Sequence, residues 1–255
     1  MKLNGKIALI TGGNRGLGKN SALRLAEYGA DSIITYRRHD QEARQVAAEI
    51  KSRFQRRCVP LQLDVAQIDL LNGFAAQVAD SLKKNWGREK FDFLINNAGI
   101  GSRAPFEETT EEMFDRLFLV HFKGVYFLTQ KLVSLLADQG RIINLSSGLT
   151  RFSLPGQSAY AAMKGAVDTF TKYLAKELGG RGITANLVAP GAIETDFTQA
   201  AFEANPEVKT MIASQTALGR VGVPDDIGGI VAFLCSENAR WINGQRIEAS
   251  GGIFL

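Results

Sequence analysis

The sequence predicts a single doubly wound α/β domain, a parallel sheet covered by helices on both faces. Three observations carry that reading. Apolar runs of strand length recur from end to end, without the polar alternation of a half-exposed sheet. Between them the apolar spacing switches to that of amphipathic helices. The first run opens directly into a glycine-rich turn.

The expected strands, in order, are 7–10, 32–35, 59–63, 93–95, 141–145 and 185–189. In the intervals Ala22, Leu25, Ala26 and Gly29 fall at i, i+3, i+4 and i+7, which is one face of a helix. Ala43, Val46, Ala47 and Ile50 repeat that spacing, and so do Leu71, Phe74, Ala75 and Val78. Near the end Ile227, Ile230, Val231 and Leu234 follow a Pro224-Asp225 helix start. The pattern never resets and no linker interrupts it, so 1–255 reads as one domain.

Composition narrows the function classes. At 45% hydrophobic residues the chain can bury a sizeable core. Its two cysteines, Cys58 and Cys235, belong to no CxxC or Cys/His cluster, which points to a reducing compartment and no structural metal. The amino terminus lacks a secretory apolar run, and no stretch approaches the roughly 18 apolar residues of a membrane span. A soluble cytoplasmic protein is expected. The net charge of +4 comes from scattered pairs such as Arg56-Arg57 and Lys83-Lys84, without a nucleic-acid-binding motif, so neither nucleic acid nor membrane is an expected partner.

After the first strand stands Thr11-Gly12-Gly13-Asn14-Arg15-Gly16-Leu17-Gly18. A turn that presses backbone N–H groups and a helix N-terminus against a pyrophosphate must leave out side chains at its closest points. Gly12, Gly16 and Gly18 suit that role, with Asn14, Arg15 and Leu17 between them. The segment marks the domain as Rossmann-type and dinucleotide-binding. The second strand ends at Tyr36, where an NAD site usually offers an acid to the ribose 2′-hydroxyl. Arg37 and Arg38 follow instead, with Arg15 in the turn and no carboxylate expected to oppose them, so a 2′-phosphate and hence NADP(H) are predicted over NAD(H).

Tyr160 and Lys164 are spaced i, i+4 on a segment of helical pattern, which places both on one face. A tyrosine titrates near ~10 in the open, and a neighbouring ammonium is expected to pull that value down, making the hydroxyl a usable acid and base. Ser147 closes the fifth strand, at the carboxyl end where α/β sheets bind ligands. Its hydroxyl is placed to hydrogen-bond a carbonyl oxygen as charge develops.

Taken together and in order, the glycine turn, Asp64-Val65, Asn96-Asn97-Ala98-Gly99, Ser147, Tyr160-x-x-x-Lys164 and Pro190-Gly191-x-x-x-Thr195 resemble the short-chain dehydrogenase/reductase family, over essentially the whole chain. The resemblance implies a seven-stranded parallel sheet with a nicotinamide cofactor lying across it. It implies that Asp64 and Val65 meet the adenine and that Asn97, Ala98 and Gly99 line the adenosine side. It further implies that Lys164 holds the nicotinamide ribose and that Pro190, Gly191, Ile193 and Thr195 surround the carboxamide. Ser147 would position the carbonyl and Tyr160 would pass the proton. A homotetramer is implied by the same analogy.

Two positions depart from the family pattern. His121 stands where the family usually has a relay asparagine; an imidazole can bind a water and, near ~6.5, respond to pH, or it can simply be packed. Ser250 replaces an aspartate before Gly251-Gly252. The segment 192–218 is long for a connection and reads as a substrate loop. Phe197 and Phe202 within it, with Leu149, Phe152, Leu154 and Gln157 before Tyr160, predict an apolar, partly aromatic pocket, and Arg103 and Arg151 are nearby charges for an anionic substrate. Reduction of a ketone or aldehyde, reversible to alcohol oxidation, is the leading expectation. Reduction of a 3-oxoacyl thioester on a carrier protein is the alternative, and a dinucleotide sensor without turnover is a further one.

Overall fold

The computed structural model describes the backbone of residues 1–255 and the side chains of all but Ala200, Ala201 and Pro206. Its strands are β1 (Ile7–Ile10), β2 (Asp31–Tyr36), β3 (Cys58–Gln62), β4 (Phe91–Asn96), β5 (Leu136–Leu145), β6 (Thr184–Pro190) and β7 (Arg246–Ala249). They form one sheet in the order β3-β2-β1-β4-β5-β6-β7, and every pairing is parallel. The helices are α1 (Gly16–Glu27), α2 (Asp40–Phe54), α3 (Leu71–Trp86), α4 (Glu111–Phe118), α5 (Gly124–Leu132), α6 (Ser158–Glu177), α7 (Asp196–Ala204), α8 (Pro206–Ser214) and α9 (Asp225–Cys235).

The strand order follows from burial on both faces. In β1, Ala8 and Ile10 point to one layer, where they join Leu25 of α1, Ile50 of α2 and Val231 of α9. Ile7 and Leu9 alternate to the other layer, with Val78 of α3, Leu132 of α5 and Leu174 of α6. Parallel strands need such crossover helices, which is why the apolar runs carry no polar alternation. Truncating a core residue such as Leu9, which is fully buried, costs about 2–5 kcal/mol in cores of this kind. The order reverses between β1 and β4, and their carboxyl ends open the crevice in which the candidate residues gather.

The six expected strands all form: β1 keeps its bounds, β3 shifts by one residue, and the other four are longer than expected. The largest extension is at β5, which begins at Leu136 and shifts register against β4 between Phe91 and Phe93. β7 escapes the apolar-run criterion because it reads Arg-Ile-Glu-Ala, with charges that serve polar partners at the sheet's edge.

A second difference concerns 192–218, which is largely helical and not an extended loop. α8 carries a legible start signal: the side chain of Asn205 accepts from Glu207 N at 3.1 Å, with proline at the next position. Between α4 and α5 the rod continues through a π-helical turn, Leu119–Lys123. Gly124 ends that turn against the Val65 carbonyl, so close that a Cβ there would meet the Val65 carbonyl carbon at 3.1 Å.

Candidate active site

The glycine turn is held by hydrogen bonds from two strands. Thr11 Oγ1 accepts from the N–H groups of Asn97 and Ala98, both at 2.9 Å, and Asn97 Nδ2 donates to the carbonyls of Thr11 and Gly12. Asn97 therefore spends its side chain on the turn, fixing the loop against the end of β4. Gly12 and Gly16 lie in the left-handed region, at φ +63° and +54°. A Cβ on Gly18 would lie 2.9 Å from the Gly12 carbonyl carbon and closer still to its oxygen. Helix α1 begins with no side-chain cap and no acid in its first turn. Its free N–H groups and positive dipole end suit an anion, so this cradle fits a dinucleotide pyrophosphate. Thr195 closes over the turn from the far side, its Cβ standing 3.7 Å from where a Cβ of Gly16 would be. Ile193, buried, bridges to Gly222, and Gly191 packs against Ser250 at the end of β6.

At the other end of the crevice the expected absence of carboxylates is corrected. Asn14 Nδ2 donates to Glu42 at 2.8 Å, and the Tyr36 hydroxyl bonds Asp40. Both acids come from the start of α2: Asp40 reaches back only four residues to Tyr36, whereas Glu42 meets Asn14 across 28 residues of chain. Asp40 is also held by Arg44 at 2.6 Å, and Arg15 faces Asp196 at 3.7 Å. Arg37 and Arg38 form no ion pair among the described residues. Asp64 accepts from Ala66 N at 3.1 Å, and Val65 is buried beside it.

Ser147, Tyr160 and Lys164 converge, as the spacing predicts. Ser147 caps a short turn at the end of β5, its Oγ accepting from Leu149 N at 3.2 Å and bonding the Tyr160 hydroxyl. Lys164, buried, donates to the Leu145 carbonyl at 2.7 Å, and its Nζ sits 5.7 Å from the Tyr160 ring centre. The electrostatics differ from expectation. Burial pushes the Tyr160 phenol up to about 12, against the opposing bond from Ser147, and Lys164 does not pull it down. Burial also lowers Lys164 to about 8, partly offset by Asp168. The pair therefore presents a protonated phenol beside an ammonium poised near neutrality, because desolvation disfavours both charged forms.

His121 is also brought here, on the π-helical turn, with its ring edge-on to Tyr160 at 5.0 Å. Its Nε2 lies 2.7 Å from the Ile100 carbonyl oxygen and 3.3 Å from the Ile100 N–H; the shorter contact, to an atom that can only accept, assigns that nitrogen the proton, while Nδ1 is buried without a partner among the described residues. Burial, reinforced by the Lys164 charge, lowers His121 to about 3. Of the two expectations for His121, a titrating imidazole or a packed one, this burial favours the packed, uncharged imidazole. Gly99 makes room for it, since a Cβ there would stand 2.9 Å from His121 Cε1.

Of the expected pocket residues, Phe197 of α7 reaches the site, 6.4 Å ring to ring from Tyr160 and against Gly101. Phe152 turns away and packs on Phe254 at 4.9 Å. Leu149, Leu154, Gln157 and Phe202 are half-buried. Arg151 is corrected as an anion-binding candidate: both arms bind Glu248, at 2.6–3.0 Å, and its other bonds go to chain-terminal carbonyls. Beside Tyr160 a cavity of about 10 Å³ is lined by Ser102, Thr109, Met113, Leu117 and Ala159, none of them singled out by sequence. Met113 and Leu117 stand i, i+4 on α4, so one helix face carries both to Tyr160. Ser250, the second departure, donates to Glu248 at 2.8 Å.

A family model described as enoyl-(acyl carrier protein) reductase matches residues 12–253. An uncharacterised oxidoreductase of Methylorubrum extorquens is 38% identical, covering 99% of each chain. A hydroxynaphthalene reductase-like protein of Metarhizium brunneum is 36% identical over 98% of this chain and 95% of its own. Among solved structures, an angucycline C-6 ketoreductase with bound NADP superposes with a TM-score of 0.94 at 38% identity, over 99% of this chain and 97% of that one.

Proposed function

The chain belongs to the short-chain dehydrogenase/reductase family of oxidoreductases, and from that premise we propose that it is an NADP(H)-dependent ketone reductase acting on apolar to aromatic substrates. The observation that carries the reading is the convergence of Ser147, Tyr160 and Lys164 at the end of β5, with Lys164 Nζ 5.7 Å from the Tyr160 ring centre. Burial pushes the phenol up to about 12, so at neutral pH Tyr160 stands ready as a proton donor to a carbonyl oxygen.

The nicotinamide, when bound, supplies the hydride. The chain's own residues do the rest. Ser147 and Tyr160 direct two hydroxyls at one point, where a carbonyl oxygen gathers charge, and Tyr160 passes its proton to that oxygen. Lys164 keeps an ammonium within reach of the emerging phenolate, stabilising it as it forms. Neutral His121 offers Nδ1 as an acceptor on the same side, the position from which a water that resupplies the proton would be held. Gly12, Gly16, Gly18 and the start of α1 would hold the pyrophosphate, and Lys164, Ile193 and Thr195 the nicotinamide end.

For NADP(H) over NAD(H) the support is Arg37 and Arg38, which form no ion pair among the described residues, while Asp40 and Glu42 are engaged by Arg44, Tyr36 and Asn14. Neighbours that carry NADP agree. An aromatic ketone is supported by Phe197, Met113 and Leu117 around Tyr160 and by the substrates that the ketoreductase and hydroxynaphthalene reductase-like relatives are named for. A homo-oligomer is supported by the aromatic face of α5 and α6, where Tyr126 and Phe170 stack at 4.6 Å and Tyr173 is exposed.

The test is NADPH consumption, with NADH in parallel, against fused-ring aromatic ketones, simple ketones and 3-oxoacyl thioesters. Turnover of the aromatic ketones, lowered about 100-fold or more in Tyr160→Phe with NADPH binding retained, is the expected result. Preference for thioesters would replace the substrate assignment with the carrier-protein one. Binding of NADPH without turnover of any ketone or thioester would leave a dinucleotide sensor.

A further inference from the structure

One carboxylate near the site has no part in the proton transfer described above. Asp168 lies one turn beyond Lys164 on α6, so Tyr160, Lys164 and Asp168 follow each other at i, i+4 and i+8 along one face. Its two oxygens take two different hydroxyls. Ser146 Oγ bonds Oδ1, and Thr150 Oγ1 donates to Oδ2 at 3.0 Å. Those residues flank Ser147 on its two sides. Thr150 Oγ1 also lies 3.1 Å from the Ser147 carbonyl oxygen. Arg246 of β7 completes the arrangement: its Nη2 donates to that same carbonyl at 3.2 Å, its Nε donates to Thr150 Oγ1 at 3.2 Å, and it stands 3.5 Å from Asp168.

We propose that Asp168 is a positioning residue of the reductase, clamping the backbone on both sides of Ser147 to the helix that carries Tyr160 and Lys164. The proposal rests on the reading of Ser147, Tyr160 and Lys164 as the reacting set. Its physical basis is that two hydroxyls meant to meet one carbonyl oxygen come from different elements, the end of β5 and α6. Misplacement by an ångström costs a large factor in rate, so a direct tie between those elements has work to do. The carboxylate is also the nearest anion to Lys164 and favours its charged form. The ionisable groups facing Lys164 are Tyr160 and Asp168 on its own helix and His121 on the π-helical turn, with Arg246 and Glu248 of β7 behind Asp168.

Asp168→Asn keeps the shape and removes the charge; Thr150→Val keeps the charge and removes one tie. Both are compared with wild type and Tyr160→Phe in NADPH-dependent reduction across pH, with circular dichroism and Tm alongside. Expected for Asp168→Asn is a fall in kcat of about 10-fold or more, with KM little changed. Its alkaline limb should move down by about one pH unit, because Lys164 loses its favourable neighbour. Thr150→Val is expected to lower kcat several-fold with that limb unmoved, and Asp168→Glu to restore part of the activity. A wild-type kcat and pH profile in Asp168→Asn overturns the proposal, as does a loss that only tracks Tm. Should Asp168→Asn fail to fold, an undiminished kcat in Thr150→Val overturns it instead. Failure of the underlying reading looks different: full turnover in Tyr160→Phe, whatever Asp168 does.

Discussion

The two walls of the crevice are built in opposite ways. The glycine turn is close-packed and locked: Thr11 and Asn97 join it to β4, and Gly18 sits too near the Gly12 carbonyl for any side chain. The cap formed by α7 and α8 is held instead by exposed ion pairs, Arg15 to Asp196 and Lys209 to Glu194, and leaves Phe197 and Met211 about half exposed. Surface pairs of that kind contribute little, about 0–1 kcal/mol. The difference teaches that one wall is fixed by close packing around a ligand-sized turn, whereas the other leaves apolar side chains uncovered at the mouth of the crevice.

The largest break in that comparison is Gly18→Ala. The added Cβ has no room, so overpacking of about 1–3 kcal/mol, a Tm lower by several degrees and NADPH binding weakened by more than about 10-fold are expected, measured by thermal melts and cofactor fluorescence. An unchanged affinity would mean that the turn is as yielding as the cap.

The next effect is on pH. The proposed reduction needs Lys164 charged and Tyr160 protonated. Lys164, lowered by burial to about 8, is cationic below that pH and neutral above it, so kcat should fall as pH rises through about 8. Tyr160, near 12, and His121, near 3, should add no limb between pH 5 and 8. A limb near 6.5 that vanishes in His121→Asn would return the imidazole to a titrating role.

The smallest effect expected is in the cap. Phe197→Ala should leave Tm and NADPH affinity unchanged and lower kcat/KM for a fused-ring ketone by roughly 10-fold, through lost apolar contact, with less effect on a small ketone. Equal effects on both ketones would assign Phe197 to packing and not to substrate choice.

Much of the fold and the reacting set was legible because its signals are local. The glycine turn is one strand-to-helix junction, and Tyr160 and Lys164 share one helix face, so spacing alone places them. The parts that sequence reasoning missed or misjudged depend on neighbours far along the chain. Glu42 meets Asn14 of the glycine turn, 28 residues away, only because α2 packs back beside β2. Arg151 looked like an anion site until Glu248, 97 residues away, claimed it. The cap was read as a loop although Asn205 and Pro206 mark a helix start inside it.

His121 shows the division most sharply. Its place on an apolar stripe could be read from the sequence, and so could its departure from the family's asparagine. That it is neutral, with its proton on the nitrogen facing the Ile100 carbonyl, could not, because burial and the Lys164 charge exist only after packing. By itself, then, the sequence determined the doubly wound sheet, the glycine cradle and the Ser147–Tyr160–Lys164 set, all of which arise from short-range pattern. The tertiary structure alone decided their protonation, the clamp around Ser147 and the composition of the pocket. Desolvation and hydrogen-bond partnership belong to the assembled molecule, and no spacing along the chain encodes them.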